Sequence, residues 1–462
     1  MVEDAISAYI HKSWDELFGM ERGEIEAFQL QALKTRFDSL APGLKRLKSK
    51  ADRAKIASIH TLTDVVPLLF DHTEYKSYPL SLLEKNRFDL LTRWFDDLTS
   101  VDLSGISVAH CGGIDEWLDT LESHTALRPN HTTGTSGKLS FIPRTTLERD
   151  LYFKAYTKNY EGFGEQPGFK LGGDGVRVPV IYPSVRHGRY IAQTLIGMLA
   201  EQVAPSPDQL YTQSSGSLSA DLASLAGRIR VAQAKGELSN LHLSDAMRAK
   251  MRAYFEELER RPEEMSAFFE SMARELQGER VFVISQASYL FKATLKAEEL
   301  GMSNIFSADS FGSAGGGGKD IILPDDWKQR VSAFTGINQW ASSYAMTEIT
   351  GTMPMCEFGH YHIQPLHIPF LLDPNSGECL PRNGRRTGRF AFYDLMPQTY
   401  WGGFITGDEV TIEWDSPCPC GRKGAYAVGQ IERYSSKVTG DDKITCAATV
   451  DNTDASLQAL LG

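Results

Sequence analysis

Between residues 132 and 140 the chain reads Thr-Thr-Gly-Thr-Ser-Gly-Lys-Leu-Ser, small hydroxyl residues alternating with glycine and followed by a lysine. Such a loop can wrap a polyphosphate. Its glycines permit positive φ and close approach of backbone N–H groups, its hydroxyls donate to phosphate oxygens, and Lys138 supplies charge. It is not a Walker A loop, because no glycine stands five residues before Gly137 and no Ser or Thr follows Lys138 directly. Taken alone, the segment also reads as a plain Ser/Thr/Gly turn.

The texture of the chain changes around this loop. Residues 1–125 are patterned for helices: Ile25, Phe28, Ala32, Leu33 and Phe37 recur near helical spacing, as do Leu82, Leu83, Phe88, Leu91 and Trp94. The basic run 44–55 reads as a solvated helix face. Beyond residue 130, β-like runs appear at 176–182, 281–285, 389–393 and 410–414, with a strongly helical insertion at about 217–277. The Met and aromatic residues of that insertion, among them Met251, Phe268, Phe269 and Met272, read as helix core. Strands alternating with helices predict an α/β (mixed α+β) core.

With 48 basic against 59 acidic residues, the net charge of −11 disfavours nucleic acid and anionic membrane as partners and suits a small-molecule enzyme. The acidic, amphipathic N-terminus is unlike a signal peptide and no run of 18 apolar residues occurs, so a cytoplasmic protein is expected. Six cysteines in 462 residues are too sparse for a disulfide scaffold. No Gly-x-Ser-x-Gly elbow occurs, which argues against a serine hydrolase.

Four further stretches follow the loop in order: Gly315-Gly316-Gly317-Gly318-Lys319, Tyr344-Ala345-Met346-Thr347-Glu348, Thr406-Gly407-Asp408 and Gly429-Gln430-Ile431-Glu432-Arg433. As an ordered set they resemble the adenylate-forming superfamily, which joins a carboxylate to AMP using ATP. Within it the chain is most similar to the phenylacetate–CoA ligase-like branch and the acyl-protein synthetases of luminescence-type fatty acid reductase systems. The resemblance covers about 130–435. It implies a large adenylation domain at 126–430, after the helical region 1–125. ATP binding is implied for Thr132, Thr133, Gly134, Thr135, Ser136, Gly137, Gly316, Gly317, Tyr344, Thr347 and Asp408. Lys138 and Glu348 are implied as catalytic, with Glu348 on Mg²⁺ and Asp408 on the ribose hydroxyls. The chemistry fits these residue types: a carboxylate attacking the α-phosphate brings like charges together, so the site must supply cations and dipoles but no protein nucleophile.

Two departures from the pattern stand out. Gln430 replaces the arginine that usually touches ribose, and 431–462 is too short for the mobile C-terminal domain that usually brings a catalytic lysine. A truncated or missing C-terminal domain is therefore expected, with Lys437 and Lys443 nearby but unassigned.

The cysteines add a second constellation. Cys418-x-Cys420 is a tight pair of soft ligands, and Cys356 with His360 or His362 offers two more, together a closed structural Zn²⁺ site. The branch's Gly-x-x-His pattern favours His362. Unliganded reduced thiols are the competing reading. His187 and Trp340 are candidates for the substrate pocket, Trp340 being equally readable as core. Cys446 resembles the acyl-carrying cysteine of the acyl-protein synthetases. The expected activity is formation of an acyl-adenylate from a fatty or aromatic acid, with transfer to CoA, a carrier protein or a protein cysteine. The alternative is a catalytically reduced nucleotide- or acyl-binding homologue serving as a partner subunit.

Overall fold

The computed structural model describes residues 2–132, 137–161, 169–241, 243–315, 323–434, 454, 456 and 457. It is a mixed α/β chain that divides into two units, each assembled from separated stretches: Met1–Thr132 with Lys138–Tyr156 and Ala345–Cys446, and Thr133–Gly137 with Thr157–Tyr344 and Ala447–Gly462.

The first unit is built on an antiparallel sheet. Its strands run in the order Tyr361–His362, Tyr426–Arg433, Gly403–Glu413, Arg385–Asp394 and His367–Leu372, and Phe70–Asp71 adds parallel to Gly403–Glu413. His367–Leu372 is buried throughout, whereas Arg385–Asp394 is charged and exposed at its start and buried from Phe390 on. That gradient sets the ends of the pair, because sliding Arg385–Asp394 along its neighbour would carry its charged start into the buried region. Phe390, Phe392, Tyr393 and Trp401 fill the core. Trp401 packs edge-on against Tyr393 at 4.7 Å and donates from Nε1 to the Leu68 carbonyl at 3.0 Å, so truncating it to Ala would cost about 3–5 kcal/mol. Helices Arg22–Leu40, Lys45–Ala54, Phe88–Asp96 and Ile114–His124 belong to this unit. The basic run is largely the helix Lys45–Ala54, which buries Leu47 and Ala51 and pairs Lys50 with Glu74 and Lys45 with Asp96.

The second unit holds a parallel sheet in the order Leu210–Leu218, Val180–Gly188, Phe282–Gln286, Phe311–Gly315 and Gln339–Ala341. Helices Ile191–Gln202, Ala287–Glu299 and Trp327–Thr335 make its crossovers, as parallel pairing requires. The first strand starts at Val180 rather than 176, because Val176 N–H is taken by the Lys170 carbonyl in a turn. Helices Ala220–Lys235 and Asp245–Glu275 are capped by Ser219 and Ser244, which accept from the Leu222 and Met247 N–H groups. Met251, Phe268, Phe269 and Met272 are buried, consistent with helix core.

Candidate functional site

In the first unit, the neck of the glycine loop is closed by Thr132 and Ser140. Thr132 N–H donates to the Ser140 carbonyl at 3.1 Å, and Ser140 N–H donates to Thr132 Oγ1 at 3.2 Å. Thr133, Gly134, Thr135 and Ser136 lie outside the described residues. Lys138 holds its ammonium 5.4 Å over the Tyr78 ring, and burial pulls its pKa below the ordinary lysine value. A partly desolvated cation resting on an aromatic face is cheap to redirect toward an anion. Gly137, in the second unit, has φ +82°, and a Cβ there would lie 2.4 Å from Arg228 Cγ and 3.0 Å from Arg228 N, so only glycine fits. Its carbonyl accepts from Ser224 Oγ at 2.6 Å.

Thr347 and Glu348 sit in a turn of the first unit. Burial raises the Glu348 pKa, opposed by its own backbone N–H and by the charges of Arg144, Arg433 and Lys76. A carboxylate poorly solvated by water is one that gains from a metal ion. Asp408 lies in the strand Gly403–Glu413, its N–H donating to Thr406 Oγ1 at 3.1 Å. Its side chain is 5% exposed and pairs with Arg433 across the neighbouring strand, Nε to Oδ1, at 3.2 Å. A register shift between Glu409 and Thr411 separates this pair from the regular ladder, and Gln430 is exposed. The cation at Asp408 is therefore Arg433, three residues beyond the position where sequence reasoning looked for one.

In the second unit His187 and Tyr344 lie near the carboxyl ends of parallel strands, where open α/β sheets bind ligands, whereas Trp340 lies mid-strand and packs against the core cluster of Ile181, Val283 and Phe334. Phe311–Gly315 ends at the glycine run, of which Gly316 and Gly317 lie outside the described residues, and Gln339–Ala341 leads to a half-buried Tyr344. His187 is exposed near the end of Val180–Gly188, its pKa lowered by burial and by Arg186. Trp340 packs its ring on Gly312, where a Cβ would come within 2.3 Å, and donates from Nε1 to the Ile337 carbonyl at 3.0 Å. Cys446 lies outside the described residues.

Cys356, His362, Cys418 and Cys420 converge in the first unit, their ligand atoms all within 4.8 Å of one another. Two similar turns present the thiols: Gly359 N–H donates to the Cys356 carbonyl and Gly421 N–H to the Cys418 carbonyl, each at 2.9 Å, with both glycines at positive φ. The Cys356 and Cys418 sulfurs are 3.8 Å apart, and Cys420 Sγ is 3.3 Å from His362 Nε2. A tetrahedron with Zn–S bonds of about 2.3 Å has S···S edges of about 3.8 Å, so the spacing fits the ion. Burial, with Arg422 and His360, pushes the His362 pKa down to about 3, which keeps the imidazole neutral and able to ligate. His360 also approaches, its Nδ1 3.2 Å from Cys418 Sγ. The cluster packs against helix Trp14–Phe18: the Phe18 ring meets His362 at 5.7 Å, and Arg422 lies 5.3 Å over Trp14.

Sequence reasoning missed the polar groups that pin the turn after Glu348. Asp394 Oδ2 accepts from Thr350 N–H at 2.5 Å, His367 Nε2 donates to the Thr350 carbonyl at 3.1 Å, and Arg144 Nη2 donates to the Ile349 carbonyl at 2.7 Å. All three side chains are fully buried. Lone residues at unremarkable spacing carry no signal of such a role.

No family model matches the sequence, and no curated protein matches it. Among solved structures, the chain is similar to 2-hydroxyisobutyryl-CoA ligase in an open conformation with 2-HIB-AMP and CoA, with a TM-score of 0.53 and 12% identity over 91% of this chain and 78% of that one. The same ligase in its thioesterification state, again with 2-HIB-AMP and CoA, matches with a TM-score of 0.52 and 12% identity over 90% and 69%. Its postadenylation state gives 0.51 and 12% over 88% and 67%. The chain thus shares its fold with this 2-hydroxyisobutyryl-CoA ligase.

Proposed function

We propose that the chain activates a carboxylic acid with Mg²⁺ and ATP, forming an acyl-adenylate and pyrophosphate, and passes the acyl group to a thiol. The observation that carries this reading is the fold shared over 91% of the chain with a ligase solved with an acyl-AMP and CoA. The ordered residues Lys138, Glu348 and Asp408 support it.

In the first step a carboxylate oxygen of the acid forms a bond to the α-phosphorus as the bond to pyrophosphate breaks. Lys138 moves from the Tyr78 face to the phosphates and offsets charge on the leaving group. Glu348 would hold the Mg²⁺, which would supply positive charge to the phosphate oxygens. Thr347 donates to the same phosphates, and Asp408, oriented by Arg433, accepts from the ribose hydroxyls. Tyr344 is assigned to the adenine, with Gly316 and Gly317 outside the described residues, and His187 and Trp340 are assigned to the acyl side. In the second step a thiolate attacks the acyl carbon and AMP departs with the bonding pair. CoA is the acceptor favoured by the ligase fold; a carrier protein or Cys446 is the alternative acceptor.

A fatty or aromatic acid remains the proposed substrate. Pyrophosphate release measured across both classes should show Mg²⁺-dependent turnover with one of them. ATP binding without pyrophosphate from any acid would instead favour the partner-subunit reading. Intact mass after incubation with ATP and the productive acid tests Cys446: an acyl adduct that Cys446→Ala abolishes assigns the acceptor to the chain itself. We further propose that Cys356, His362, Cys418 and Cys420 hold one structural Zn²⁺, since four protein ligands leave no position for substrate.

A further inference from the structure

The guanidinium of Arg144 is fully buried, yet the oxygens it reaches carry no formal charge. Nη1 donates to Asn130 Oδ1 at 3.1 Å and Nη2 to the Ile349 carbonyl at 2.7 Å, while the Tyr152 ring lies 5.5 Å beneath it. Nε finds no acceptor among the described residues. The Arg144 charge acts on the Glu348 carboxylate nearby, but both of its hydrogen bonds go to neutral oxygens, a costly arrangement for a buried cation whose task is packing alone. Its two bonds have a specific geometry. Asn130 belongs to the short strand that enters the glycine loop, paired with Ile142 across the hairpin. Ile349 directly follows Glu348. One rigid, forked side chain therefore ties the entry of the loop to the turn that presents the carboxylate. The far side of that turn is held separately, by Asp394 and His367 on Thr350.

We propose that Arg144 is a positioning residue that fixes the Glu348 carboxylate relative to the strand entering the Thr132–Lys138 loop, so that Mg²⁺ and the triphosphate meet at a set spacing. This rests on the reading of Glu348 as the Mg²⁺ carboxylate. A fork is needed for the task because a lysine at 144 would reach one acceptor and leave the other.

The test is a double-mutant cycle read by calorimetry of ATP binding with and without Mg²⁺, which needs no knowledge of the acid. Arg144→Met should reduce the Mg²⁺-dependent gain in ATP affinity about tenfold in the wild-type background and less than about twofold in Glu348→Gln. Arg144→Lys should fall between, and Asn130→Leu, which removes one acceptor, should act in the same direction with smaller size. If Arg144→Met does not fold, as judged by its melting curve, the Lys and Leu variants carry the cycle. Additive losses, with Glu348→Gln itself impaired, would overturn the positioning role and leave the Mg²⁺ reading standing. A Glu348→Gln protein with wild-type Mg²⁺ dependence would overturn both.

Discussion

Two polar regions of the same unit solve the problem of buried charge in opposite ways. Around Cys356, His362, Cys418 and Cys420 the chain gathers four ligands with nothing else to do, closed by paired turns and by the Trp14–Phe18 helix. Around Glu348 and Asp408 it sets carboxylates against guanidiniums, with Arg433 on one and Arg144 and Arg433 acting on the other. The first arrangement is complete once an ion enters. The second can exchange partners, since a guanidinium that neutralises a carboxylate can also turn to a phosphate. A closed cluster should therefore govern stability and an exchangeable one turnover, and substitutions in the two should separate those readouts.

The largest separation is expected from Cys418→Ser with Cys420→Ser. Metal analysis should fall from about one zinc per chain to none, and the melting temperature should drop by on the order of 10 °C, while turnover per folded molecule changes little. Full zinc content in that variant would remove the cluster from the comparison. Next, Glu348→Gln should slow pyrophosphate exchange by about 10², near 2.7 kcal/mol, without lowering the melting temperature, because burial already opposes the charge it removes. An unchanged rate would end the assignment of Glu348.

The raised pKa of Glu348 has a signed consequence. Its folded value lies above the ordinary 4.5, so the ionised form that takes Mg²⁺ is lost on acidification earlier than for a free carboxylate. At limiting Mg²⁺, where the metal-free form is titrated, the acid limb of kcat/KM should have its midpoint above 4.5 and should be absent from Glu348→Gln; a limb at or below the ordinary value there would contradict it. The smallest effect is expected from Asp408→Asn, which weakens the 3.2 Å pair with Arg433 and removes a ribose acceptor. KM for ATP should rise about tenfold, roughly 1.4 kcal/mol, with kcat less affected.

Legibility in the sequence follows the same division. Soft ligands at Cys-x-Cys spacing are rare outside metal sites, so Cys418 and Cys420 could be singled out, and Cys356 and His362 do converge on them. Choosing between His360 and His362 needed a family pattern, because both rings approach the sulfurs. The mixed α/β class was readable from alternating apolar periods, yet the strand at Val180 began four residues late because a turn claimed Val176. Arg433 was hidden by a register shift, which no linear spacing records. Arg144, Asp394 and His367 were hidden for a different reason. Their meaning lies in backbone groups of Ile349 and Thr350, and backbone groups are the same in every residue.

The two halves of the cysteine cluster are 62 residues apart along the chain, and the strands His367–Leu372, Arg385–Asp394 and Gly403–Glu413 lie between them. An ion that joins the halves closes a loop of that length, which by chain-entropy arguments removes about 4 kcal/mol of freedom from the unfolded ensemble. Cys418 and Cys420 alone can hold an ion before the sheet exists, so part of that gain is offset by binding to the unfolded chain. Folding in excess zinc should then begin from a half-loaded chain, and the rate at which the second pair of ligands closes becomes a clock for assembly of the antiparallel sheet.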